Sequence, residues 1–277
     1  MSTQNALLTI LVEKINNDTL VLPTLPAIAL KVRKSADDPN INLNGMADVV
    51  GQDPSLSARM IKISNSAFLG REVKVQSVTQ SVTRIGLSQV KNIATALAME
   101  QLFVSKNEVV KKYMAKKWDD TILIVANAMA ALMTYQKATK DKHLALDTLT
   151  LSALVANIGA LPVLTEAERH DSVFANPTFL DVAIEKLSGR IGGSIMRQWQ
   201  FNDVFIQCAE HWRNLEFKTK DVSYIDFVRV GAALSNQVEN GDEYLTQAQE
   251  KGIFDDVEVY QTDEFAEMRD NAKTVFA

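Results

Sequence analysis

Apolar side chains recur at helical spacing along almost the whole chain. Leu7, Leu8, Leu11 and Ile15 form one stripe behind the cap-competent Ser2 and Thr3. Leu22-Pro23-Thr24-Leu25-Pro26 predicts a rigid extended entry, and Pro26 suits the first turn of a helix that carries Ile28, Ala29 and Val32 inward and ends at Asp37-Asp38-Pro39. Asn44 is the predicted cap of a short helix through Val49 and Val50, closed by Gly51. Asp53-Pro54 then starts another, with Leu56, Met60 and Ile63 on its apolar face. Ser64-Asn65-Ser66 and Gly70 mark a loop. Ser77 caps a helix bearing Val78, Val82 and Ile85, and Gly86 suits its end. From Ser88, the residues Val90, Ile93, Ala94, Leu97 and Ala98 make the next stripe.

The second half opens with a long helix over about residues 108–136, rich in Ala and Met, and continues with one over 144–155 that runs into Ile158-Gly159-Ala160-Leu161-Pro162. Residues 165–177 read as polar and turn-like. Further helices are expected near 178–187, 190–200, 202–213 and 221–240. No stretch alternates as a strand does, so the expected class is all-α. From Gly241 onward ten Asp or Glu stand against three Lys or Arg, which predicts a solvated helix or a loose tail.

Composition narrows the function. The 277 residues carry 29 Lys or Arg against 34 Asp or Glu, a net charge of -5 that disfavours sequence-independent attraction to nucleic acid. A single cysteine, Cys208, rules out an intrachain disulfide and suits a reducing cytoplasm; on its helix it reads as a small buried residue. The first residues lack the basic start of a signal peptide, and no run of about 18 apolar residues predicts a membrane span.

Leu25-Pro26-Ala27-Ile28-Ala29-Leu30-Lys31-Val32, Gln52-Asp53-Pro54-Ser55-Leu56-Ser57-Ala58-Arg59, Ser64-Asn65-Ser66-Ala67-Phe68, and Arg84-Ile85-Gly86-Leu87 with Val90-Lys91-Asn92 follow one another in an order and spacing that resemble the HDOD family. The resemblance is strong from Leu22 to about Leu102 and weaker to about Trp212. It implies a helical N-terminal part (1–105) packed on a degenerate HD-like part (106–215), with a C-terminal extension (216–277). It also implies a bacterial, cytoplasmic signalling or regulatory role without a firmly assigned reaction. The implied partners are signalling proteins acting in trans, such as a histidine kinase, a response regulator or a cyclic-nucleotide enzyme; a homo-oligomer stays open.

HD-type phosphohydrolases, the related enzymes, hold a metal through an early histidine, a His-Asp pair inside an apolar helix and a final aspartate. Here Trp118 is followed by Asp119, Asp120 and Thr121, and Ala156-Asn157 stands before Ile158-Gly159 where the pair belongs. A methyl and a neutral amide replace an imidazole and a carboxylate, so no metal, no cofactor and no hydrolytic centre are expected. Asp120, Ala156 and Asn157 are the degenerate positions. His170-Asp171 lies in a polar stretch and reads as surface, as does His143; the lone His211 reads as a histidine that satisfies a core hydrogen bond or faces solvent.

Arg59, Asn65, Arg84 and Asn92 are the candidate lining of a groove for a ligand or partner, although capping and packing account for most of the motif. Gly189-Arg190-Ile191-Gly192-Gly193-Ser194 is read as close helix packing, with an anion-binding helix start as the other possibility. Lys111, Lys112, Lys116 and Lys117 form a basic helical face. Two rival functions stay open. One is a divergent metal-dependent phosphohydrolase of nucleotides or cyclic dinucleotides using Asp119, Asp120, His170, Asp171 and His211. The other is a nucleotide or nucleic-acid binder using Arg59, Arg84 and Lys91.

Overall fold

The computed structural model describes residues 3–17, 19–66, 69, 73–169, 177–274 and 276. Among them there is no strand. The helices are α1 (Thr3–Asn16), α2 (Ala27–Ala36), α3 (Leu43–Val50), α4 (Pro54–Ser64), α5 (Val78–Ile85), α6 (Leu87–Ala98), α7 (Glu108–Thr139), α8 (Leu146–Val155), α9 (Ala160–Ala167), α10 (Pro177–Gln198), α11 (Asp203–His211), α12 (Tyr224–Leu234), α13 (Gly241–Glu250) and α14 (Asp263–Thr274).

Local chemistry sets the boundaries. Asp53 Oδ1 accepts from Leu56 N at 2.9 Å, and Pro54 follows at the first helical position. Ser77 Oγ accepts from Gln80 N at 3.2 Å, and Asn107 Oδ1 accepts from Val109 and Val110 N at 3.0 and 3.2 Å. Gly86, at φ 88°, ends α5 and starts α6 in a backbone region that favours glycine. The cap of α3 is Asn42, whose Oδ1 takes Gly45 N at 2.9 Å, rather than Asn44. That register turns Met46, Ala47 and Val50 into the core.

Helices α2 to α6 pack on one another, and α6 leans on α8. The long α7 is the spine of the second half, flanked by α8, α12 and α14. Helix α10 lies across α9 and α11, and α1 rests on α9 and α10. Lys14 Nζ meets the buried Glu166 carboxylate at 2.6 Å there, and Trp199 Nε1 donates to Pro23 O at 3.0 Å. One hydrophobic cluster runs from Leu11 to Phe276.

Two further expectations need correcting. The predicted pair 178–187 and 190–200 is the single helix α10. Its glycines lie inside the helix against α11. A Cβ on Gly189 would stand 2.5 Å from Glu210 O and one on Gly192 3.1 Å from Ala209 O, so close approach of two backbones explains them and no helix start is present for an anion. The acidic C-terminal stretch is packed: α13 and α14 bury Tyr244, Ala248, Phe265 and Ala272 while their carboxylates face outward. Leu146–Ala167 is apolar and long enough to cross a membrane by composition, but 89% of its most apolar window is buried among the other helices, as a core element is.

Candidate functional site

Ala156 and Asn157 lie where α7, the α8–α9 turn and the segment after α11 meet, whereas Asp120 on α7 has its bond to Lys116. Asn157 sits in the tight turn between α8 and α9. That turn is pressed on α10: a Cβ on Gly159 would fall 1.9 Å from Ser188 O. Asn157 Nδ2 donates to Thr121 Oγ1 at 3.2 Å, and its Oδ1 accepts from Arg213 Nη2 at 3.0 Å. Ala156 contributes a buried methyl, and its carbonyl accepts from Trp212 Nε1 at 2.8 Å. The Arg213 guanidinium lies over the Trp212 ring, 3.8 Å from its centroid. Burial pulls its pKa down to about 10, and Tyr244, Glu185 and Asp181 oppose that fall. Its Nε–H is buried and has no partner.

Asp120 is buried on α7 and pairs with Lys116 Nζ at 2.9 Å. Asp119 is exposed. His211 is half-buried, stacked on Phe217 with ring centroids 4.2 Å apart, and its Nε2 is 4.0 Å from the Glu210 carboxylate. His143 sits in the loop after α7, between Asp141 Oδ1 at 2.7 Å and Val222 O at 3.2 Å. His170 and Asp171 lie outside the described residues. Among the described residues, no group of three or more His, Cys, Asp or Glu is placed to hold a metal ion.

The donor set does not fit the divalent metal that HD-type relatives use. At Ala156 and Asn157, the positions read from the sequence as the degenerate pair, stand a methyl and an amide bonded on both sides, with the Arg213 guanidinium 3.0 Å from the amide oxygen.

A cavity of about 580 Å³ opens beside Arg213. Lys117 and Asp181 line it as a pair at 3.0 Å, and Tyr113 donates its hydroxyl to the same Asp181 at 2.5 Å. Burial, first, and then Asp181 push the Tyr113 phenol upward. Lys117, Lys116 and Lys111 of the predicted basic face are therefore each set against a carboxylate: Asp181, Asp120 and Glu108.

The N-terminal candidates do not line one groove: Arg84 and Asn65 both hold the segment around Val73 and Val75, while Arg59 and Asn92 have partners elsewhere. Arg59 meets the Glu100 carboxylate and donates to Leu97 O at 3.1 Å, lining a cavity of about 280 Å³. Arg84 donates to Ser64 O at 3.0 Å and to Val73 O, and lines a different cavity of about 380 Å³. Asn65 clasps Val75 through both backbone groups at 2.8 Å, as a strand partner would. Asn92 donates to Asp147 Oδ2 at 2.8 Å, and Lys91 pairs with Asp37.

Comparison with known proteins agrees with this architecture. The profile of the HDOD domain matches residues 22–215. A crystal structure from Shewanella amazonensis SB2B, of a protein called a candidate metal-dependent phosphohydrolase, is 38% identical and covers 100% of both chains with a TM-score of 0.93. A candidate signal transduction protein from Marinobacter aquaeolei VT8 is 20% identical over 99% of this chain and 66% of its own, with a TM-score of 0.66, which shows a shared fold. A relative from Treponema pallidum (strain Nichols), named only as an uncharacterised protein, is 22% identical over 205 residues; this chain spans 38% of its length.

Proposed function

Because this chain belongs to the HDOD domain family across residues 22–215, we propose that it is a non-catalytic regulatory module that acts in the bacterial cytoplasm by binding signalling proteins in trans. The observation that carries this reading is the Arg213 guanidinium hydrogen-bonded to Asn157, beside the Ala156 methyl, in the degenerate HD site. A fixed positive charge repels a cation: at about 4 Å each pair of unit charges costs about 4 kcal/mol at an effective dielectric near 20, and a divalent ion doubles that. Loss of ligands and gain of a cation act in the same direction. Of Arg59, Arg84 and Lys91, the cations a nucleic-acid reading uses, Arg59 and Lys91 are set against Glu100 and Asp37 and Arg84 is bonded to the Ser64 and Val73 carbonyls, which weakens that alternative.

The Shewanella relative's name makes metal-dependent phosphoester hydrolysis the reading to test against. Protein purified with added Mn²⁺, Mg²⁺ or Fe²⁺ is assayed for bound metal and for turnover of p-nitrophenyl phosphate, nucleotides and cyclic dinucleotides. Substoichiometric metal with turnover no faster than the blank is expected. Stoichiometric metal, with turnover that is lost in Asp120→Ala, would overturn the proposal.

A further inference from the structure

The cavity beside Arg213 is polarised. Arg213 is its inner cation: the guanidinium stacks on the buried Trp212, its Nη2 reaches only the neutral Asn157 Oδ1, and its Nε–H has no acceptor. Among the described residues no carboxylate closes an ion pair with it. A charged group so placed is costly unless something anionic completes it. Lys117 and Asp181 neutralise each other. Glu185, Glu239 and Glu243 line the cavity from exposed positions, beside the neutral Asn236 and Asn240, and Glu185 acts on Arg213 without forming an ion pair with it. At about 580 Å³ it lies within the range of small-molecule sites.

A plain anion would meet the inner guanidinium favourably and the outer carboxylates unfavourably. A plain cation would meet the reverse. A molecule with an oxyanion at one end and an ammonium group at the other satisfies both ends of the cavity. We infer that this cavity binds a small zwitterion, its phosphate or carboxylate on Arg213 and its ammonium group among Glu185, Glu239 and Glu243. The inference deepens the non-catalytic reading and rests on it, since the guanidinium replaces the metal as the anion's receptor.

Isothermal titration of the full chain with O-phosphoethanolamine, β-alanine, inorganic phosphate, acetate and ethylamine tests this, first in EDTA and then with Mn²⁺. At least one of the two zwitterions is expected to bind saturably in EDTA, tenfold or more tighter than phosphate or acetate; the stronger of the two tells phosphate from carboxylate as the head group. Arg213→Gln should weaken that zwitterion at least tenfold. The double variant Glu185→Gln with Glu239→Gln changes two exposed side chains and should leave folding intact. It should weaken the zwitterion severalfold and tighten inorganic phosphate, a reversal of sign that misfolding does not produce. Absence of saturable binding by either zwitterion, or equal binding of zwitterion and plain anion, overturns this inference. If metal is absent and turnover stays at the blank, the non-catalytic reading still stands in that case. Binding that appears only with Mn²⁺ and is accompanied by turnover overturns both.

Discussion

Arg229 on α12 is the side chain whose loss should most disturb the Arg213 site from a distance. It is 4% exposed. Its Nε donates to Trp212 O at 3.2 Å, and its Nη2 is within reach of three carbonyls, those of His211, Asn214 and Phe217, at 3.1, 2.6 and 2.8 Å. These carbonyls belong to the end of α11 and the segment beyond it, the stretch that holds Arg213 in place. Burial lowers the pKa of Arg229 and nearby Asp226 raises it. Replacing it with methionine keeps the apolar stem and removes every donor. Charge-assisted bonds are worth about 1.5–3 kcal/mol each. A simple sum overshoots, because one nitrogen serves three acceptors and methionine avoids the desolvation of a charge. The expected cost of Arg229→Met is therefore about 3–5 kcal/mol, the range for breaking a buried charged network. That is a large part of the roughly 5–15 kcal/mol that holds a typical domain together. Urea unfolding followed by far-ultraviolet circular dichroism measures it, and amide hydrogen exchange over residues 211–217 should speed up. A loss below about 1 kcal/mol, with exchange unchanged, would refute the assignment of Arg229 as the anchor of this segment.

Gly159→Ala should cost about 3 kcal/mol or more, because its Cβ would meet Ser188 O at 1.9 Å and Gly192 N at 2.7 Å, both backbone. Gly45→Ala, whose nearest neighbour is the tip of the Ile41 side chain at 3.0 Å, should be neutral or stabilising by thermal melt. Hydrogen bonds to Asp141 and then to Val222 O raise the His143 pKa above 6.5. Its contribution to stability is therefore full below pH 6.5 and is lost as pH rises through the raised value, so the melting temperature should drop slightly across that window in wild type and not in His143→Ala. An NMR titration that places His143 at or below 6.5 would contradict this. Burial pushes the Cys208 thiol up to about 12. A thiol reagent at about pH 8 should modify it roughly 10³-fold more slowly in native than in unfolded protein, from the thiolate fraction alone.

How much was legible in the sequence differed by element. Helix α7 was readable almost to its ends because a long apolar-rich run is bounded by chemistry that acts locally: Asn107 caps its start, and Lys140 in the left-handed region, at φ 62°, stops it. The Asp53-Pro54 and Ser77 starts were readable for the same reason. Helix α10 was split because glycine weakens an isolated helix. Gly189, Gly192 and Gly193 are in fact spaced as one helical face, and their cost is offset by a close contact with α11 that no local pattern shows. The C-terminal stretch was hidden by its charge: Tyr244 with Ala248 and Phe265 with Ala272 sit at helical spacing, but acidic neighbours dominate the composition. At the site, the absence of a His-Asp pair at Ala156 and Asn157 was visible from residue types alone. Arg213 was not, because nothing in its neighbourhood in sequence says that its side chain meets a turn 56 residues earlier.

That long-range contact changes what the missing ligands mean. Were Asn157 an isolated amide in a polar hollow, one substitution could place a carboxylate there. With Arg213 Nη2 at 3.0 Å from Asn157 Oδ1, a carboxylate at position 157 would pair with the guanidinium before it met any metal. Thr121 on the other side of the amide has its own hydroxyl bonded to Lys117 O at 2.7 Å, which fixes the amide's orientation from α7. Trp212 holds the guanidinium from below while donating to Ala156 O, so residues 156, 157, 212 and 213 form one interlocked set. That set is built around a cation whose buried Nε–H has no partner.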